Sequence, residues 1–245
     1  MAFCLNHHLD HPETYLTYNV SNDFTTNSEF KESARLAYLG YYRYSNSAGN
    51  ASGTGRADAD QYAYTATLIW QNLNQVPSNY SLGSDFNTFK SEVMEEFNKW
   101  DTLPSFNGST QTLDVGETKT LTDSNGVLKY YESFNYTKDN VTFSHTKGSN
   151  TMSVKAADNV TKETVSITQD EAKNNKMGKN INNSKVQTNF VLSPIPDNTA
   201  THQRLLVGYG YNDPKYLRIN INIDLFGSLE LQKLGNDGEL IDGAI

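Results

Sequence analysis

At 245 residues the chain is long enough for one large domain or two small ones and can bury a real core. Only 36% of it is hydrophobic, yet 15 Tyr, 11 Phe and 2 Trp exclude a disordered polymer and imply a folded protein with a polar surface. The formal charge of -8 argues against nucleic acid as a partner, because binding a phosphate backbone needs clustered Lys and Arg.

No apolar run approaches membrane-spanning length, so no membrane insertion is expected of this sequence. The first twenty residues also lack the apolar segment of a signal peptide, so a secreted protein would be represented here by its mature part.

The chain opens with a short strand, Met1 to Asn6, in which Cys4 lies between Phe3 and Leu5. Cys4 is the only cysteine, which excludes an internal disulfide; a lone Cys is more often a small buried hydrophobe than a reactive thiol. Cys4, His7, His8 and His11 invite a zinc reading, but no second Cys or His pair closes a tetrahedral site. Neither a metal nor a cofactor is expected, and the three histidines read as solvated loop residues entering Pro12.

Three helical stretches follow in the first hundred residues, each marked by apolar spacing near 3.6. The first places Phe30, Ala34, Ala37, Tyr38 and Tyr41 on one face. A small, polar segment from Ser45 to Gly55 reads as a loop leading into the second helix, from about Asp58 to Asn74, which aligns Tyr62, Ala66, Ile69, Trp70 and Leu73. The third opens at Ser84-Asp85 and aligns Phe86, Phe89, Val93, Phe97 and Trp100.

After Pro104 the texture changes to Thr- and Val-rich alternation with turn signals such as Ser124-Asn125-Gly126, which predicts antiparallel strands. The clearest strand sets Leu217, Ile219, Ile221, Ile223 and Leu225 against Arg218, Asn220, Asn222 and Asp224, one buried face and one wet one. The expected fold class is therefore α+β: an antiparallel β-sandwich with a helical subdomain of about three helices. The first unit spans 1–226, helix-rich over 20–104 and β-rich over 105–226. Beyond Gly227 a new strand puts Leu229, Leu231 and Lys233 on one face, and a buried Lys needs a partner.

Phe3-Cys4-Leu5 is an aromatic-Cys-hydrophobic triplet. Sixty residues later comes Thr65-Ala66-Thr67-Leu68-Ile69-Trp70, preceded by Asp60, Tyr62 and Ala63. In these motifs, their order and their separation, the sequence resembles the thioester (TQXA) domains of Gram-positive surface adhesins, with Ala66 standing where the family carries Gln. The resemblance extends to about Phe226. It implies that the Cys sulfur attacks the Gln carboxamide, ammonia leaves, and the resulting thioester is displaced by a lysine amine of a partner. It further implies a host or matrix protein as that partner, with fibrinogen the family-level guess, and an extracellular, cell-wall-anchored location.

A thioester must be kept from water, and Phe3, Leu5, Tyr62, Ile69 and Trp70 are candidates for that shield. Helical phase puts position 66 on the apolar face, directed at the Cys4 strand. Without a carboxamide at Ala66 the chain is expected to keep its fold and a free thiol, and to be inert toward amines. A deliberate change and a naturally degenerate relative look identical in sequence.

The segment from Gly227 to Ile245 resembles the opening of a Cna-B-type stalk domain, which would make Lys233 an isopeptide candidate paired with a later strand. Two other classes stay open: a noncovalent protein- or carbohydrate-binding β-sandwich in which Cys4 is structural, and a stalk unit. No Ser-His-Asp order, phosphate loop or carboxylate pair stands out, so no enzymatic activity is expected.

Overall fold

The computed structural model describes residues 2–9, 17–21, 28–44, 53–181, 190–195, 201–207 and 213–225. Lys233 and the rest of the Cna-B-like tail, His11, and most of the 45–55 loop lie outside them.

Two hydrophobic clusters organise the described chain. The first gathers helices α1 (Ser28–Gly40), α2 (Asp58–Asn72) and α3 (Ser84–Asn98) around Phe3, Leu5, Phe30, Tyr41, Ile69 and Phe89. The apolar faces expected of the three helices are the ones that turn inward, and Trp100, just past the end of α3, is 2% exposed. Gly40 lets α1 and α2 approach: a Cβ there would sit 2.5 Å from Thr65 Oγ1.

Helix α2 ends in a complete Schellman motif. Asn74 takes the left-handed conformation at φ 55°, its N–H donates to Gln71 O (3.1 Å), and the Gln75 N–H donates to Trp70 O (2.9 Å).

Against the helices packs a four-stranded sheet in the order β1 (Ala2–Cys4), β11 (Leu205–Val207), β10 (Phe190–Ile195), β2 (Thr17–Ser21), all antiparallel. The late strands β10 and β11 thus return to the first cluster, to which Val191 and Leu206 belong. The β-rich span expected over 105–226 contributes to both cores, an arrangement that local periodicity does not register.

The second cluster is a sandwich. One sheet runs β3 (Thr110–Asp114), β13 (Ile219–Asp224), β8 (Thr164–Ile167). The other runs β4 (Thr118–Thr122), β7 (Thr151–Ala156), β6 (Val141–His145), β5 (Phe134–Lys138). Ile219, Ile221 and Ile223 are buried as the alternation predicts. The pairing differs from the expectation at one place: β13 runs parallel to β3, while its other neighbour β8 is antiparallel. The short helix α4 (Gln169–Asn174) was also not anticipated; six residues are too few for a periodic signal, but Thr168 and Glu171 form a capping box that marks its start. A two-stranded piece, β9 (Gly178–Lys179) with β12 (Lys215–Tyr216), lies toward the helices.

The two units meet along a polar seam. Asp123, 3% exposed, accepts backbone N–H bonds from Ser105, Asn125, Val127 and Leu128 at 2.7–3.0 Å. Burial opposes its charge, but those four donors together hold the carboxyl below the usual range. Lys179, 1% exposed, crosses the seam to donate to Lys99 O (2.8 Å) at the C-terminal end of α3, where a cation is favoured. Burial outweighs that attraction and the nearby Glu96, pulling its pKa down to about 8.

Between that value and the ordinary 10.5 the unfolded chain holds more protons than the folded one, so this group makes stability rise with pH across the interval. The unfolding free energy of the parent, measured relative to Lys179→Met by chemical denaturation, is expected to climb from pH 8 to pH 9.5. A difference that is flat with pH contradicts this account of the seam.

Candidate functional site: the β1 edge under helix α2

Among the described residues strand β1 is an edge strand, with β11 on one side only. The Leu5 N–H donates to Arg204 O (2.8 Å), and antiparallel pairs alternate, so Phe3 bonds to Leu206 while Ala2 and Cys4 direct their backbone groups away from the sheet. Open carbonyls of this kind need partners. Helix α2 supplies them: Tyr62 Oη donates to Ala2 O (2.8 Å) and Trp70 Nε1 donates to Cys4 O (2.8 Å).

Just beyond the Schellman turn, Gln75 Nε2 donates to Leu5 O (2.6 Å) and Gln75 Oε1 accepts from the His7 N–H (2.6 Å). The helix is therefore fastened along the strand at three levels.

Residues 62, 66 and 70 share one stripe of a helix, four apart. With Tyr62 and Trp70 bonded to the carbonyls of Ala2 and Cys4, Ala66 is held at the level of Phe3 and Cys4, and it is 3% exposed. Thr65 has a structural task beside it. Fully buried, it donates to Gln61 O (2.7 Å), and its side chain lies where Gly40 has none.

Successive strand residues face opposite ways. Phe3 and Leu5, both 0% exposed, enter the helical core, where Phe3 stacks on Tyr62 at 4.7 Å, and the half-buried Cys4 faces the other side as a free thiol. Burial pushes the Cys4 thiol up, and burial together with the nearby Cys4 pushes the Tyr62 phenol up to about 12. The same thiol also raises Tyr18 after burial does, so Cys4 lies within electrostatic reach of both rings.

An open cleft of about 480 Å³ borders residue 66, with Tyr62, Ala66 and Trp70 along one wall. Of the shield residues expected from sequence, Tyr62 and Trp70 line this cleft, whereas Phe3, Leu5 and Ile69 lie in the core beneath. The opposite wall, with Val76, Pro77, Tyr80 and Leu82, comes from the loop after α2 and was not singled out. Its trace in the sequence is two large apolar residues in a polar loop, Tyr80 at 48% and Leu82 at 41% exposure.

His7 also lines the cleft, its ring edge-on to Trp70 at 4.5 Å; it and His8 are exposed, and among the described residues no group of three His, Cys, Asp or Glu could hold a metal.

No family model and no curated protein matches the sequence. Among solved structures, the chain is similar to the thioester domain of the Staphylococcus aureus TIE protein. The alignment has a TM-score of 0.50 at 17% identity and covers 92% of this chain and 83% of that one. This chain has the fold of a thioester domain. The Bacillus anthracis TIE protein also aligns, at 14% identity and a TM-score of 0.34, over 97% of this chain and 45% of that one. In the thioester-domain fold described here, the open edge of β1 and the α2 stripe are the elements that bring Cys4 and position 66 to the same level.

Each of the two donors on the β1 edge is expected to contribute about 1 kcal/mol, since its loss leaves a carbonyl without a partner. Tyr62→Phe with Trp70→Phe should therefore lower the unfolding free energy by about 2 kcal/mol and raise the rate of Cys4 alkylation by iodoacetamide several-fold. In the parent the pH midpoint of that rate should lie above the ordinary thiol value. Unchanged stability and rate in the double variant would show that α2 does not hold the edge.

Proposed function

We propose that this chain is a thioester-null form of a surface adhesin domain whose reactive counterpart carries Gln at position 66. In that counterpart Cys4 Sγ attacks the Gln side-chain carbonyl, a C–S bond replaces the C–N bond, and the thiol proton leaves with ammonia. A lysine amine of a host or matrix protein then displaces the sulfur, leaving an amide bond and restoring the thiol. Fibrinogen is the proposed partner by family resemblance, and the proposed location is extracellular, on the cell wall. This is a single covalent capture and not an enzymatic turnover.

The observation that carries the reading is the pair of hydrogen bonds from Tyr62 and Trp70 that bracket residue 66 and fix it against the Cys4 strand. The cleft beside Ala66 supports it further, as a mostly apolar approach to position 66. Ala66 has the helix propensity and size to sit at a buried position without disturbing α2, but it offers no acyl carbon.

Intact mass before and after incubation with methylamine tests this. Ala66→Gln is expected to weigh one ammonia less than its sequence predicts and to gain methylamine, while the parent keeps its full mass and gains nothing. A variant that keeps its full mass would make Cys4 structural and leave a noncovalent binding module as the better reading.

A further inference from the structure

A second cleft, of about 750 Å³, lies away from β1 on the seam between the helical unit and the sandwich. That is the size of many small-ligand sites, and junctions between packed units are where such sites occur.

Its charge runs against that of the chain. Lys and Arg number 20 against 28 Asp and Glu overall, yet Arg43, Lys129, Lys147 and Lys176 line this cleft with only Glu96 and Glu132. Three of the cations are ion-paired. Arg43 pairs with Glu96 at 2.7 Å and lies over Tyr44 at 4.9 Å. Lys129 pairs with Glu95 at 2.5 Å and lies over Tyr130 at 5.0 Å, and Lys147 pairs with Glu132 at 2.7 Å. Lys176 has no ion-pair partner among the described residues.

Donors outnumber acceptors in other ways too. The buried Nε of Arg43 finds no hydrogen-bond partner, and the Tyr38 phenol, protonated at neutral pH, offers an O–H. Asn180 adds an amide.

We propose that this seam cleft binds an acidic saccharide, a sugar ring whose carboxylate is taken by the cations around Lys176 and whose hydroxyls meet the tyrosines and Asn180. The cationic surplus selects against a metal ion. A peptide is disfavoured because docking needs apolar anchor pockets, and Ile181 is the single aliphatic side chain in the lining, beside three tyrosines that each carry a hydroxyl. A bare carboxylate would leave most of the volume unfilled, while the Tyr rings and hydroxyl-rich lining suit a sugar ring. The site is independent of Cys4 and of residue 66.

Titration with glucuronate, followed by amide chemical shifts, tests the proposal on the parent chain. The amides of Tyr44, Lys176 and Asn180 are expected to move, with a Kd on the order of 1 mM. Glucose and acetate should each bind at least ten times more weakly. Lys176 sits at φ 57°, so Lys176→Asn deletes the charge while keeping a residue that accepts the left-handed backbone, and it should weaken glucuronate binding about tenfold. Lys155→Ala, an exposed charge outside the cleft, should leave it unchanged. The proposal is overturned if glucuronate causes no shifts, if glucose or acetate binds as well, or if Lys176→Asn binds like the parent with its spectrum intact.

Discussion

The arrangement of this molecule around Cys4 depends on how one exposed sheet edge is closed. A three-residue strand at the margin of a sheet carries outward carbonyls that water would otherwise take, and helix α2 takes those of Ala2 and Cys4 with a phenol and an indole, while Gln75, just past the helix, takes the carbonyl of Leu5 beyond the strand. These donors are not interchangeable with the backbone donors of another strand. A strand would have covered the edge completely, whereas a helix at this position covers it with side chains and leaves one short residue, Ala66, between the two donors. The aromatic character of the motif therefore has a mechanical reason: Tyr62 and Trp70 are long enough to span from a helix axis to a strand backbone and carry a polar group at the tip.

The same logic of side chains reaching across a gap holds the two units together. Lys179 caps α3 from the sandwich side, and Trp100 donates from the helical side to Asp213 at 2.7 Å. Asp213 is also engaged by Arg35 and Lys215, which share Asp101 as well. A junction built from charges, and not from a continuous apolar core, explains why the hydrophobic contacts fall into two clusters and why a cleft of about 750 Å³ lies between them. The apolar cleft beside residue 66 and the cationic cleft on the seam thus arise from two different kinds of packing, one helix on edge strand and the other unit on unit.

Much of this was legible in the residues. Helices announce themselves by spacing, and Phe30, Ala34, Phe86, Phe89 and Val93 turn inward as their periodicity requires; Ile219, Ile221 and Ile223 do the same with period two. That the Phe3-Cys4-Leu5 triplet belongs beside the stretch after Tyr62 was expected only from the family resemblance, carried by the order and separation of the two motifs, neither of which is rare alone. What stayed hidden depends on distant contacts. Period-two alternation is the same for a parallel and an antiparallel neighbour, so β3 beside β13 could not be foreseen. The return of β11 to the N-terminal strand, with β10 beside it, is set by contacts between segments just over two hundred residues apart. The roles of Thr65 and Gln75 were equally invisible, since one depends on the absence of a side chain at Gly40 and the other on a left-handed turn at Asn74.

The central claim is geometric: a side chain at position 66 long enough to leave the helix meets Cys4. The most direct measurement is a crystal structure of the Ala66→Gln protein, read at the introduced side chain. The account predicts continuous density from Cys4 Sγ to the side-chain carbonyl carbon, with the Tyr62 and Trp70 hydrogen bonds to β1 retained. An intact carboxamide turned into the neighbouring cleft, with the Cys4 thiol free on the far side of the strand, would contradict it.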